Sequence, residues 1–190
     1  MSAAVAQNMQ PLKLHIGCGK RFISGFVHVD VLPLAHVDHV TDAKDLAFAA
    51  TGSVDLIYAA HVLEHFGRYE FIEVLTEWHR VLKPGGVLRL SVPDFKACAG
   101  IYYEKGLADG LSGLLGLIIG GQRDTFDYHK MIFDEPFLSG TLKKIGFSQT
   151  RLWDWRTTEH VTTDDYSQAY IPHLDKETGR LMSLNLEAVK

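Results

Sequence analysis

The chain has little cysteine, no block of basic residues and no long apolar run. Cys18 and Cys98 are its only cysteines, which excludes a disulfide framework and is typical of a reducing compartment. No more than two Lys or Arg residues stand side by side and the net charge is -4, so neither nucleic acid nor an anionic membrane is the expected partner. The most apolar stretch, 111–121, contains four glycines, counting its last residue, and is far shorter than the ~20 residues of a membrane span.

The first ten residues and the length of the chain bear on its location and its number of domains. Residues 1–10 have neither the basic nor the apolar region of a secretory signal, and we expect a disordered tail there and a cytoplasmic protein without a membrane anchor. With 190 residues, of which 46% are hydrophobic, the chain can bury one sizeable core but is too short for two ordinary domains. We therefore expect a single domain over 11–190.

Short apolar runs alternate with helical patterns, which predicts an α/β fold with a parallel sheet covered by helices on both faces. A helix is predicted by the stripe of Phe71, Ile72, Leu75, Trp78 and Leu82, ending at Lys83-Pro84-Gly85, and a second by Pro136 to Ile145, stopped by Gly146. The predicted parallel strands are 12–16, 26–31, 37–40, 54–59 and 87–92, followed by 147–155 and 182–189 as an antiparallel pair at one edge. The expected fold class is a Rossmann-like open sheet, mostly parallel, with an antiparallel C-terminal edge hairpin.

The segment Leu14-His15-Ile16-Gly17-Cys18-Gly19 has the pattern of a ligand site. An apolar strand that runs into Gly-x-Gly lets the backbone approach a ligand where a Cβ would clash. Asp30 ends the next strand, where a carboxylate can accept hydrogen bonds from both hydroxyls of a ribose. A plain tight turn has the same short pattern, so the pair alone leaves both interpretations open.

The distance between these two features limits the kind of ligand. About ten residues separate Gly19 from Asp30, whereas a parallel crossover with a full helix needs roughly a dozen or more. We therefore expect the first crossover helix to be shortened to a turn or a loop. This counts against phosphate binding by helix amides and against a dehydrogenase, whose fingerprint has a third glycine in a long first helix.

Three further segments carry a family resemblance. They are Asp42 after the third strand, Tyr58-Ala59-Ala60-His61-Val62-Leu63-Glu64-His65, and Leu82-Lys83-Pro84-Gly85-Gly86. With Gly-Cys-Gly and Asp30 before them, the chain resembles the class I S-adenosylmethionine-dependent methyltransferases, in particular the small-molecule, type 11-like group that carries His-Val-Leu-Glu-His. The resemblance covers residues 12–95 well and the last third only through 142–147.

This resemblance implies S-adenosyl-L-methionine as the cofactor. Gly17 and Gly19 would lie along its methionine portion and ribose, Asp30 would bind the ribose hydroxyls, and Asp42 would bind the adenine amine. For Asp30 the alternative is a solvated strand-end acid, and for Asp42 a turn or cap residue. The implied cofactor-binding set is Gly17, Cys18, Gly19, Asp30, Asp42, Ala43, Ala60 and His61, with Cys18 packing rather than reacting.

Histidines are the candidate catalytic residues. Methyl transfer to a protonated acceptor needs a base, and His61, His65 and His129 stand in the regions where this family places the acceptor. Structural roles for the same histidines remain open. His61 and His65 together with Glu64 could suggest a metal, but no further acid or histidine lies nearby in sequence, so no metal is predicted.

The expected reaction is methyl transfer to a small polar molecule, such as a sugar or a natural-product intermediate. Two regions are expected to help define the acceptor. Residues 102–121 are expected to form either a lid or a homodimer contact, and the connection 157–180 is long enough to be either functional or disordered. Two alternatives stay open: another sulfonium-dependent transferase, and a non-catalytic S-adenosylmethionine-binding or assembly module.

Overall fold

A seven-stranded sheet organises the chain. The computed structural model describes residues 10–105 and 110–190, so residues 1–9 of the predicted tail lie outside the described part. The strands are β1 Lys13–Ile16, β2 Val27–Asp30, β3 His39–Val40, β4 Val54–Ala60, β5 Leu82–Pro93, β6 Gln149–Leu152, β7 Tyr170–Ile171, β8 Arg180–Leu181 and β9 Ser183–Val189, and the α-helices are α1 Glu70–Val81, α2 Phe95–Lys105, α3 Leu115–Ile119 and α4 Glu135–Ile145.

The strand order β3-β2-β1-β4-β5-β9-β6 confirms the predicted fold class. The strands from β1 to β5 pair in parallel, and β9 runs antiparallel between β5 and β6. The predicted antiparallel pair therefore exists at the C-terminal edge. β7 and β8 form a separate two-stranded hairpin within the long connection.

The first crossover has no helix, as predicted. Between β1 and β2 the backbone makes two tight turns, in which Arg21 N donates to Cys18 O and Phe26 N donates to Ile23 O. This short path keeps the turn after β1 and the end of β2 side by side. None of the described helices is long and apolar enough to cross a bilayer.

Helix α1 corrects two details of the predicted stripe. Its buried positions include Val74, whereas Ile72 is 37% exposed. Val74 continues the i, i+3 series that starts at Phe71, and Ile72 falls on the opposite side. The helix also ends at Val81, and β5 begins at once at Leu82, which pairs with Val54 of β4. Further along β5, Gly85 and Gly86 form backbone bonds with Lys190 at the end of the chain.

The two faces of the sheet are covered differently. Helices α1 and α4 pack over one face and form the main core with residues such as Leu14, Ile57 and Leu88. The other face is covered by the first crossover and by the segment after β6, where Phe26 and Trp153 pack around Tyr58. Among the described residues, loops rather than the predicted helices therefore cover this part of the second face.

Candidate functional site

A cavity of about 380 Å³ opens where β1, β2 and β3 end. The carboxyl ends of parallel strands are the usual place for ligands in open α/β sheets, and the volume lies in the range of small-molecule sites. Five of the eight predicted cofactor residues line it: Gly17, Asp30, Asp42, Ala43 and His61.

The glycine turn is held by both packing and hydrogen bonds. Gly17 has a φ of +63°, and its amide donates to Val29 O over 2.8 Å. A Cβ at Gly17 would lie 2.3 Å from a methyl carbon of Val62, whereas a Cβ at Gly19 would meet nothing within 4 Å. Val62 therefore leaves no room for a side chain at residue 17, whereas at residue 19 only the φ of +53° favours glycine.

Asp30 ties the turn to the end of β2. One carboxylate oxygen accepts from Gly19 N at 2.8 Å, the other accepts from Leu32 N at 2.9 Å, and the residue is 8% exposed. A carboxylate has about four lone-pair sites, so two remain for hydroxyl donors in the cavity.

Asp42 and Ala43 form the next part of the lining. One oxygen of Asp42 accepts from Lys44 N at 3.0 Å, which makes the side chain a local turn acceptor while it still lines the cavity. The carbonyl of Ala43 accepts from the buried Trp78 indole at 2.8 Å. This bond anchors the segment after β3 to helix α1.

Three predicted cofactor residues do not line this cavity: Cys18, Gly19 and Ala60. Cys18 is buried with its sulfur 3.8 Å from His36 Nε2, and burial together with nearby Asp30 raises the pKa of the thiol to about 12. The thiol therefore stays protonated, as expected of a packing residue. Ala60 lies opposite Ser91 in the sheet.

Other lining residues were not predicted from the sequence. They are Ile16, Val29, Val31, Leu32, Thr41, Lys44, Val62, Phe66, Glu70, Thr125, Phe126 and Lys130. The predicted catalytic residues His61 and His65 also line the cavity. Thr41 and Lys44 stand on either side of the predicted pair Asp42-Ala43, so their position in the cavity wall could have been inferred from that motif. Thr125 to Lys130 reach the site through tertiary packing, since Lys130 N donates to Glu64 O over 2.7 Å.

A second cavity of about 570 Å³ lies next to the first, and His61 and His65 line both. Its walls come from the first crossover, from 113–129 and from 164–174, together with Met182. Arg21 lies with its guanidinium 5.0 Å from the centre of the Tyr166 ring and donates to Asp164 O. The two regions expected to define the acceptor thus both contribute to this cavity.

His61 has a fixed protonation pattern. Its Nε2 lies 2.9 Å from Ser183 Oγ, and that hydroxyl donates its own proton to Tyr166 O over 2.6 Å. Ser183 must therefore accept from His61 Nε2–H, which leaves Nδ1 without a proton in the neutral ring. That Nδ1 lies 3.3 Å from a carboxylate oxygen of Glu64, and burial lowers the pKa of His61 well below its usual value.

His65 and His129 are oriented in the same way by backbone carbonyls. His65 Nδ1 donates to Tyr128 O at 3.1 Å, and His129 Nδ1 donates to Leu117 O at 3.0 Å. Each neutral ring therefore keeps a lone pair on Nε2. The ring centres are 5.0 Å apart, and burial lowers the pKa of both side chains.

Glu64 lies beneath these rings, in the short 3-10 turn Leu63–His65. It is 0% exposed, its carboxylate accepts no hydrogen bond from the described residues, and burial raises its pKa to about 8. Ligand atoms of Glu64, His65 and His129 lie within 4.8 Å of one another. The structure thus brings all three predicted catalytic histidines together with an acid.

Comparisons with known proteins concern the family and the fold. Residues 33–90 match the family model described as a methyltransferase domain. No curated protein sequence matches the chain.

Solved structures share the fold at low sequence identity. A SAM-dependent methyltransferase from Archaeoglobus fulgidus is 15% identical, with a TM-score of 0.58, over 95% of this chain and 86% of that one. A SAM-dependent methyltransferase from Thermotoga maritima is 16% identical, with a TM-score of 0.58, over 94% and 82%. The 1,6-didemethyltoxoflavin-N1-methyltransferase of Burkholderia thailandensis, solved with bound 1,6-didemethyltoxoflavin and S-adenosylhomocysteine, is 15% identical, with a TM-score of 0.57, over 95% and 72%. The predicted resemblance to methyltransferases is therefore confirmed by the family model over residues 33–90, which is less than half of the chain, and the solved structures share the fold.

Proposed function

We propose that the chain binds S-adenosylmethionine in the smaller cavity and transfers its methyl group to a small polar molecule in the larger one. The observation that carries this proposal is that His61 and His65 line both cavities. Methyl transfer requires the donor and the acceptor to meet at one point, and two adjoining cavities with a shared wall provide it.

The residues of the smaller cavity fit this cofactor. Asp30 keeps free acceptor sites for a ribose, and Asp42 is a second acceptor for an amine. Gly17 brings backbone to the cavity wall without a side chain. Ile16, Val29 and Val62 supply apolar surface around these acceptors.

The larger cavity favours a polar acceptor. Arg21, Arg123, Asp127 and Asp164 line it, which suits a molecule with several hydroxyl, amine or carboxylate groups, such as a sugar or a natural-product intermediate. When bound, S-adenosylmethionine supplies an electrophilic methyl group, so the chain has to align the acceptor and receive its proton. The lone pairs of His61, His65 and His129 at the junction are the groups available for that proton.

An acceptor screen tests the proposed reaction. The chain is incubated with S-adenosylmethionine and a panel of sugars, amines and phenols, and products are read by mass spectrometry for the gain of one methyl group. We expect S-adenosylhomocysteine to accumulate with one acceptor class, and His129→Ala to lower turnover roughly 10²- to 10⁴-fold with cofactor affinity little changed. His39→Ala is the control, since this ring stacks on Phe48 outside both cavities.

Two results would overturn the proposal. Cofactor binding without transfer to any member of the panel would favour the non-catalytic module. Transfer of an aminopropyl group from decarboxylated S-adenosylmethionine, with none of methyl, would favour the other sulfonium-dependent enzyme.

A further inference from the structure

We propose that Glu64, His65 and His129 bind a divalent transition-metal ion at the junction of the two cavities, with His61 beside the carboxylate. The three ligand atoms already lie within 4.8 Å of one another. Ligands about 2.1 Å from a tetrahedral ion are roughly 3.4 Å apart, so rotation of the side chains by a small amount would close the site.

The histidines are oriented as metal ligands usually are. A metal-bound histidine normally donates its other ring N–H to a backbone carbonyl or a carboxylate, which fixes the ring and the tautomer. His65 and His129 do this through Tyr128 O and Leu117 O. Each is left with the Nε2 lone pair that a metal needs, and His129 Nε2 lies 3.9 Å from Glu64.

The buried acid Glu64 is independent support for a cation at this place. Glu64 is fully buried, and no described residue donates a hydrogen bond to its carboxylate. A buried carboxylate is costly without a donor or a cation. The nearest neighbour, His61 Nδ1 at 3.3 Å, cannot donate in the neutral ring because its proton is on Nε2, bonded to Ser183.

The cluster therefore brings two imidazole lone pairs close to a buried acid that has no hydrogen-bond partner among the described side chains. An ion among them would satisfy the carboxylate and both Nε2 atoms at once. The sequence prediction of no metal was based on the absence of a further acid or histidine near His61, Glu64 and His65. The fold supplies that ligand in His129, which the 125–131 segment brings against the 3-10 turn by backbone bonds to Glu64 O.

The donor set indicates the class of ion. Two imidazoles and one carboxylate suit Zn²⁺, Fe²⁺, Co²⁺ or Mn²⁺, whereas Mg²⁺ and Ca²⁺ prefer oxygen ligands. His65 and His129 also line the larger cavity, so an open coordination position would face the acceptor. On the proposed function, this favours acceptors that carry an oxygen donor next to the methylated atom.

Metal titration of the chain without an affinity tag tests the site. The protein is treated with EDTA, dialysed, and titrated with Zn²⁺ by calorimetry and with Co²⁺ by visible absorption. We expect one ion per chain and Co²⁺ bands typical of a low-coordinate nitrogen and oxygen site. We expect His129→Ala and Glu64→Gln each to lower affinity at least about 10-fold, and Mg²⁺ not to compete.

His39→Ala is the matched control, because it removes an imidazole that stacks on Phe48 and lies outside the cluster. Circular dichroism confirms that each variant is folded, and the two cluster variants are independent, so loss of one still leaves the other as a test. Absence of Zn²⁺ and Co²⁺ binding, or binding that neither cluster variant weakens, would overturn the proposal.

The same samples separate this proposal from the proposed function. S-adenosylhomocysteine affinity is measured on the metal-free chain. Cofactor binding without metal binding would refute only the metal site and leave the histidines to accept the proton directly, whereas metal binding without cofactor binding would refute the proposed function alone.

Discussion

Replacement of Asp30 by alanine separates its structural bonds from its proposed bonds to the cofactor. In the free chain the carboxylate accepts from Gly19 N at 2.8 Å and from Leu32 N at 2.9 Å. The variant leaves two partly buried amides without their acceptor, each at a cost of about 1–2 kcal/mol when some water can enter. We therefore expect the free energy of unfolding to fall by about 2–4 kcal/mol, less than the 5–15 kcal/mol typical of a folded domain.

The effect on the cofactor is separate. Hydrogen bonds to a charged group contribute about 1.5–3 kcal/mol, so the affinity for S-adenosylhomocysteine should fall about 10- to 150-fold. Calorimetry measures this loss, and urea unfolding shows that the variant is folded at the temperature of the titration. Asp30→Asn keeps one acceptor oxygen and should show an intermediate loss of both stability and affinity.

One result would refute this reasoning about Asp30. If the alanine variant is destabilised but binds S-adenosylhomocysteine as tightly as the wild type, the carboxylate only holds the turn and does not contact the cofactor. Loss of affinity with no loss of stability would show that the two backbone bonds contribute little.

Three further predictions concern the region around β1. Burial and nearby positive groups lower the pKa of His15 to about 3, so between about pH 6.5 and 3 the unfolded chain binds a proton that the folded chain does not. The free energy of unfolding should therefore fall with pH in this range by up to about 1.4 kcal/mol per pH unit. Urea unfolding of His15→Phe should show a weaker dependence of stability on pH, and an unchanged dependence would contradict this. The Cys18 thiol, with its pKa raised to about 12 by burial, should not react with a disulfide reagent at neutral pH until the chain unfolds, and fast labelling of the native protein would disprove it. Gly17→Ala should destabilise the chain more than Gly19→Ala. Both substitutions strain the left-handed backbone by about 1–2 kcal/mol, but only the new methyl group at residue 17 collides with Val62. Equal midpoints of unfolding in urea would contradict this.

Much of the smaller cavity could be predicted because its chemistry is local in sequence. Gly17 and Asp30 each stand at the end of a predicted strand, and parallel strands bring such ends together at one edge. The prediction for Ala60 stays a prediction, because the residue types alone do not distinguish it from its neighbours in β4. In the sheet it faces Ser91 and lies outside both cavities.

Features that depend on long-range packing could not be predicted. The meeting of His129 with Glu64 depends on backbone bonds between segments far apart in sequence, and no local pattern encodes it. The connection 157–180, which its length alone marked as functional or disordered, is ordered by side chains of the sheet, such as the Tyr58 hydroxyl, which donates to the Asp165 carboxylate, and the Asn185 side-chain amide, which donates to Ser167 O. Likewise β5 starts at Leu82 because that residue pairs with Val54, which lies 28 positions earlier in the chain.

Calorimetric titration of the wild-type chain with S-adenosylhomocysteine tests cofactor binding in the smaller cavity most directly. We expect saturable binding of one molecule per chain, with S-adenosylmethionine competing for the same site and the Asp30→Ala variant weakened as calculated above. A folded wild-type chain that binds neither compound at millimolar concentration would contradict the assignment of this cavity and, with it, the proposed methyl transfer.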